Sequence, residues 1–303
     1  MHPHRPARGV ALLLAALVLF VMLDATSKHL GQRYPVPLLV WARYTTHFLL
    51  MLALLAPRFG RRLIRSAHPG RQTLRATMLL GTTFFSMAAL QRMPLAETTA
   101  VVFAAPLIVT LLAGPMLGET FGRLRWAAVL VGFCGVLLIA RPGGDMNTGG
   151  LLLALAAANC YAIYQLMTRQ LSGSEHPVTL LFYTALVGTL AMTPVLPWFW
   201  QGPRPDWIDM LKILSMGIYG GAGHFLLIRA FREAPASLLS PVTYAQLAWA
   251  TLFGWVIFEH LPAPTALAGI AIIGGAGVML ALDGRRPAFR RSSSEAAAGG
   301  SPR

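Results

Sequence analysis

The chain has 303 residues, 55% of them hydrophobic and 12% charged, with a mean hydropathy of +0.59 and a formal net charge of +14. So few charges argue against a soluble globular domain, where roughly a quarter of residues are charged, and for a chain whose apolar faces are solvated by lipid. The basic residues lie in short segments between apolar runs and form no continuous stripe, which argues against a nucleic-acid partner. Cys134 and Cys160 fall inside apolar runs without CxxC or Cys/His spacing, so neither a disulfide framework nor a metal site is expected.

Runs of near-bilayer length occur at about 9–30, 36–57, 74–91, 97–117, 124–141, 150–169, 177–198, 208–229, 237–258 and 264–283. The first carries Asp24 and Lys28 and is followed by nine more, so it reads as a retained helix and not a signal peptide. Pro94, Pro142, Pro177, Pro235 and Pro262 punctuate the short connections. From residue 284 the chain is small, polar and basic, and is expected to be disordered.

With ten spans, one membrane face receives both termini and the even-numbered loops. It takes Arg5, Arg8, the arginines from Arg58 to Arg75, Arg123, Arg125, Arg169, Arg229, Arg232 and those of the tail, eighteen in all. The other face takes Lys28, Arg33, Arg92, Arg141, Arg204 and Lys212, six in all. Positive residues stay inside, so both termini are expected in the cytoplasm.

The stretch Ala89–Glu119 reappears as Ala230–Glu259. Aligned without gaps, Ala89, Pro94, Val101, Ala104, Thr110 and Leu111 meet Ala230, Pro235, Val242, Ala245, Thr251 and Leu252. Each copy runs from a Pro-led turn through an apolar run to a Glu, then into a second run with paired glycines, Gly132 and Gly135 or Gly274 and Gly277. Five spans per copy is an odd number, so the second copy starts on the opposite membrane face. The expected fold is an all-α polytopic membrane protein of ten transmembrane helices as two inverted five-helix repeats, residues 1–145 and 146–283, with a cytoplasmic tail at 284–303. Transporters of that architecture hold substrate near the midplane at the repeat interface.

These features resemble the EamA-type permeases of the drug/metabolite transporter superfamily, as does the opening stretch Met22–Tyr44. The resemblance covers about residues 9–283. It implies cytoplasmic termini and a central cavity lined by spans 1, 3, 4, 6, 8 and 9. It also implies carriage of small metabolites, as export of amino-acid-like solutes or as uptake of compounds such as riboflavin or adenosylmethionine.

Candidate residues follow from charge and position. Asp24 and Lys28, at i, i+4 in span 1, share a helix face, and each costs about 2.5–3.5 kcal/mol at a helix centre. They are expected either to bind a zwitterion or a proton, or to form a structural pair with Lys28 snorkelling outward. Arg43 and His47 repeat the spacing in span 2 and are expected to be structural, as are the corner acids Glu119 and Glu259. His224 follows three glycines in span 8, where another helix can approach closely. Gln246 and Trp249 share a face of span 9, with Tyr244 pointing away; Asn159 and Tyr164 in span 6, Phe84 in span 3 and Phe103 in span 4 complete the substrate candidates. Pro106 is expected to kink span 4 and act in gating.

The sequence has no HExxH, GxSxG or P-loop, so neither an enzyme nor a cofactor is expected. The reading is a secondary transporter of the bacterial inner membrane, a monomer or homodimer, coupled to a proton or a counter-substrate. It would export a small polar or amphipathic metabolite, amino-acid-like or heterocyclic; the alternative is an uptake carrier or facilitator for a vitamin- or nucleoside-like compound, and a membrane-embedded enzyme is the least favoured reading.

Overall fold

The computed structural model describes residues 6–117, 123–140, 147–171, 174–199, 203–234, 238–239 and 242–283. The described residues are helices and their connections, without strands. Helices occupy all ten expected spans: Pro6–Leu30, Val36–Phe59, Pro69–Leu90, Leu95–Val102 with Ala105–Leu117, Arg123–Ala140, Thr148–Leu171, Pro177–Met192, Trp207–Glu233, Ala245–Phe258 and Pro264–Asp283. Below they are spans 1 to 10. Spans 1, 2, 4, 6 and 8 are long and apolar enough to cross a membrane, and spans 5, 7, 9 and 10 contain shorter apolar helices.

The differences from the expected boundaries have local causes. Span 3 starts at Pro69, not at 74, because a proline at the first helical position costs no hydrogen bond and presets φ. Span 4 is not continuous. Its first helix ends at Val102, Phe103 and Ala104 form a turn, and Pro106 sits in the first turn of the second helix, where its missing N–H and ring bulk interrupt the ladder. Thr110 Oγ1 donates to the Pro106 carbonyl at 3.0 Å. Span 9 has a matching turn at Thr243 and Tyr244 before its helix at Ala245.

The two halves pack as inverted repeats. Exchanging them maps spans 1 to 5 onto spans 6 to 10, and the contacts obey the exchange. Span 1 packs on span 8 as span 6 packs on span 3, and span 2 packs on span 8 as span 7 packs on span 3. Span 1 meets span 9 as span 6 meets span 4, while spans 2 and 7, 4 and 9, and 5 and 10 meet their own counterparts. At the contact of spans 5 and 10, a Cβ on Gly135 would stand 2.8 Å from the Gly269 carbonyl, and one on Gly269 2.6 Å from the Gly135 carbonyl. Two backbones approach this closely only where side chains are absent.

Candidate functional site

The contacts close into a ring that runs through spans 1, 8, 2, 7, 3, 6, 4 and 9 and back to span 1. Among the described residues spans 1 and 6 do not pack closely across it, nor do spans 3 and 8, while span 3 touches spans 1 and 2 and so bounds the interior space on that flank. Among the side chains inside the bundle that keep accessible surface are Asp24, Arg43, Phe84, Phe103, Tyr161, Tyr164, His224 and Tyr244.

On one side of the space, span 8 receives spans 1 and 2 on its glycines. A Cβ on Gly220 would meet Arg43 Nε at 3.5 Å, and one on Gly221 would meet the His47 ring at 3.2 Å. His224 meets Phe20 of span 1 edge-on at 5.0 Å. Arg43 donates to Thr83 Oγ1 of span 3 at 3.1 Å, and its guanidinium lies 5.5 Å from the Tyr44 ring centre. The Tyr44 hydroxyl is held by Thr83 Oγ1 at 2.9 Å and the Leu79 carbonyl at 3.2 Å. Asp24 and Arg43 are within electrostatic reach of each other, as are His224 and the trio His47, Arg43 and Arg75.

On the opposite side Arg75 of span 3 is buried. It donates from Nε to Thr168 Oγ1 at 2.6 Å, from Nη1 to the Leu180 carbonyl at 3.1 Å and Thr184 Oγ1 at 3.3 Å, and from Nη2 to the Tyr164 hydroxyl at 2.9 Å. Tyr164 lies under the guanidinium and stacks on Tyr161 at 5.9 Å and 12°. Arg75 thus ties spans 3, 6 and 7 together.

The two broken helices meet on the pseudo-two-fold axis. Phe103 and Tyr244 occupy equivalent positions when Ala89 is aligned with Ala230, and their rings touch at 5.8 Å and 73°. A residue that contacts its own counterpart marks a two-fold axis, as in an isologous interface. Tyr244 packs against Gly277 of span 10 on its other side.

At one end of the bundle Lys28 Nζ donates to the Leu90 and Met93 carbonyls at 2.8 and 2.7 Å, capping the C-terminus of span 3, and lies 5.6 Å from the Phe258 ring centre. At this same end Glu97, 3% exposed, meets His260 Nε2 at 3.3 Å, joining spans 4 and 9. Here too Tyr34 donates to Asp209 at 2.9 Å, and Arg33 and Lys212 flank that carboxylate at 3.4 Å. Burial, followed by the bond to Asp209, pushes the Tyr34 phenol up from its usual range.

At the other end the buried Glu175, between spans 6 and 7, accepts from Ser66 Oγ at 2.6 Å and from the Ala67 and His68 amides at 2.9 and 3.1 Å, in the loop between spans 2 and 3. Burial alone would raise its pKa, but these donors outweigh burial and hold the carboxyl below the usual range. Arg8 and Glu233 pair at this end, at 3.6 Å.

Several expectations change. Asp24 and Lys28 make no ion pair among the described residues: Lys28 is turned to the carbonyls of span 3, which offer it hydrogen bonds that Asp24 would have to replace. Arg43 and His47, expected to be structural, stand inside the bundle, where the glycines of span 8 leave room for them. Arg75, assigned to a loop in the charge count, is buried in span 3; without it the asymmetry between the two faces persists. Asn159 is exposed, donates to Leu155 of its own helix at 2.9 Å, and does not join the group. Gln246 is buried, Trp249 packs against spans 1 and 8, and Phe84 packs among the apolar residues of spans 1, 2 and 8. Glu259 is exposed and takes the left-handed conformation, φ 52° and ψ 24°, that ends span 9. Glu119 and the tail lie outside the described residues.

Sequence reasoning missed Arg75, Glu97 and Glu175, whereas Tyr161 is a candidate beside Tyr164 in span 6. Pro69 is a helix-start signal that places Arg75 in the second turn of span 3. The one signal at Glu97 is an acid just inside an apolar run. No short-range pattern marks Glu175, whose partners lie more than a hundred residues away.

Comparison with known proteins agrees with this geometry. The chain is 27% identical over 274 residues to a riboflavin transporter of Vibrio cholerae, covering 89% of this chain and 91% of the relative. It is 28% identical over 270 residues to an S-adenosylmethionine uptake transporter of Rickettsia prowazekii, covering 88% of this chain and 89% of that one. A solved crystal structure superposes with a TM-score of 0.67 at 21% identity, covering 93% of this chain and 100% of the other, which shows a shared fold. The family model of the EamA-like transporters matches twice, at residues 7–141 and 148–282. This multi-pass membrane protein, built as a duplicated helical bundle around an interior polar and aromatic space, belongs to the EamA-like transporter family.

Proposed function

We propose that the protein is a secondary carrier of the bacterial inner membrane. It takes up a small heterocyclic metabolite of the riboflavin or S-adenosylmethionine kind by alternating access at the interface of two repeats, residues 1–145 and 146–283. The observation that carries this reading is the ring of spans around a space, with two broken helices meeting on the two-fold axis at Phe103 and Tyr244. Broken helices at the repeat interface are where transporters expose backbone groups to substrate. Aromatic side chains around the space, Tyr161, Tyr164, Phe103 and Tyr244, suit a flat ring system.

Uptake takes precedence over export because relatives along the whole chain are named for riboflavin and for S-adenosylmethionine uptake. In this reading Asp24, Arg43, Tyr164 and His224 face the substrate, and Pro106 sets the bend about which span 4 moves. Both termini are cytoplasmic, from the arginine asymmetry, and a proton or counter-substrate drives the cycle. Proteoliposomes loaded with unlabelled riboflavin or S-adenosylmethionine test the reading. Labelled solute outside should enter saturably and overshoot equilibrium by counterflow, chemically unchanged. Linear entry without counterflow would mean a facilitator, and no protein-dependent entry of either solute would remove the reading.

A further inference from the structure

Arg43 and Arg75 both stand inside the bundle, but their donors are used differently. A guanidinium has five N–H donors in a planar fork. Among the described residues Arg75 makes four hydrogen bonds with them, whereas Arg43 makes one, to Thr83 at 3.1 Å. The ion pairs among the described residues are Arg8–Glu233, Arg33–Asp209, Lys212–Asp209 and His260–Glu97, so neither interior arginine has a carboxylate within pairing distance. Asp24 acts on Arg43 only through the longer-range field.

The Arg43 side chain is nevertheless well placed. Gly220 gives it room on one side, the Tyr44 ring supports it on another, and Thr83, itself bonded to the Tyr44 hydroxyl, orients the fork. Keeping open donors on a fixed cation inside a membrane protein is costly unless an acceptor fills them. Arg75 adds a second positive charge to the field at His224.

Building on the heterocycle-carrier reading above, we propose that Arg43 is the specificity-determining residue of the site: its fork takes the acceptor-rich edge of a flat, uncharged or anionic heterocycle, and its charge turns away a cationic one. Adjacent carbonyl and ring-nitrogen acceptors, as in an imide or pyrimidinedione edge, match the two parallel donors of a guanidinium. A sulfonium cation offers nothing to the fork and is repelled by it.

Purified full-length protein in detergent tests this with two probes, riboflavin, followed by its fluorescence, and S-adenosylmethionine, followed by calorimetry. Wild type should bind riboflavin at least about 10-fold more tightly, the scale of one hydrogen bond to a charged group. Arg43→Gln should weaken riboflavin by about 10-fold and narrow the gap between the probes, while Arg43→Lys, which keeps the charge but not the fork, should recover only part of the affinity. S-adenosylmethionine binding equal to or tighter than riboflavin in wild type overturns the proposal without needing any variant, and so does an Arg43→Gln protein that binds riboflavin like wild type; both leave the carrier reading standing. Binding of neither probe by monodisperse wild-type protein removes the heterocycle reading and this proposal with it.

Discussion

The contact of span 8 with spans 1 and 2 and the contact of span 3 with spans 6 and 7 are related by the two-fold axis, yet they use arginine in opposite ways. Arg75 is buried and spends its donors on Thr168, Thr184, Tyr164 and the Leu180 carbonyl. Arg43 is half-buried, makes one side-chain hydrogen bond among the described residues and faces the space. The duplicated architecture supplies two equivalent interfaces, and the side chains make one a fastening and leave the other open. A buried cation with four of its five donors met stabilises, because breaking its bonds exposes uncompensated groups. A cation with open donors gives little stability and can bind.

The sharpest way to break this contrast is to neutralise each arginine. Arg75→Gln should destabilise by about 3 kcal/mol or more, from hydrogen bonds to a charged group of about 1.5–3 kcal/mol each. It should appear as loss of monodisperse protein or a large fall in melting temperature. Arg43→Gln should stay within about 1 kcal/mol of wild type. Equal losses would erase the distinction between fastening and open interface.

Glu175 extends the fastened side, since it ties the connection between spans 6 and 7 to the loop before span 3. Glu175→Gln should cost about 1–3 kcal/mol at pH 7. Because the folded carboxyl titrates below its reference value of 4.5, its contribution is whole above about pH 4.5 and is lost as pH falls through the lower folded value. Thermal melts of both proteins from pH 7 to pH 3 should therefore converge at the acid end. A gap that widens toward acid would contradict the donor set around Glu175.

Phe103 and Tyr244 stand between the two interfaces. A double-mutant cycle with Phe103→Leu and Tyr244→Leu should give a coupling of about 0.5–1.5 kcal/mol, as for an edge-to-face pair. Additive effects would mean that the axis contact contributes no stability of its own. The smallest effect is expected at the corner of span 9, where Glu259 takes a left-handed conformation. Glu259→Gly should raise stability by about 0.5–1 kcal/mol, the left-handed penalty less glycine's larger unfolded-state entropy. A decrease in melting temperature would show that the Glu259 side chain holds the corner.

What could be read from the sequence differs between the fold and the site. Asp24 and Lys28 show why. Their spacing correctly places both on one face of span 1, but an i, i+4 rule cannot say that the carbonyls of Leu90 and Met93 stand nearer to Lys28 than Asp24 does. Arg43 is expected to be structural, since the resemblance does not put span 2 on the cavity and nothing in span 2 reveals the bare backbone at Gly220 and Gly221. Phe103 was legible as an aromatic near a proline, and its equivalence to Tyr244 was present in the repeat alignment. That the two rings meet was not.

By itself the sequence determined the class of molecule, the ten spans, their inverted duplication and the family. Those properties follow from short-range facts: bilayer-length apolar runs, charges that partition between loops, and prolines that interrupt hydrogen-bond ladders. Only the tertiary structure decided which polar groups are satisfied and which are left open. Hydrogen bonding and close approach inside a bundle depend on which helices become neighbours, and the partners of Arg75, Glu175 and Arg43 come from spans distant in the chain.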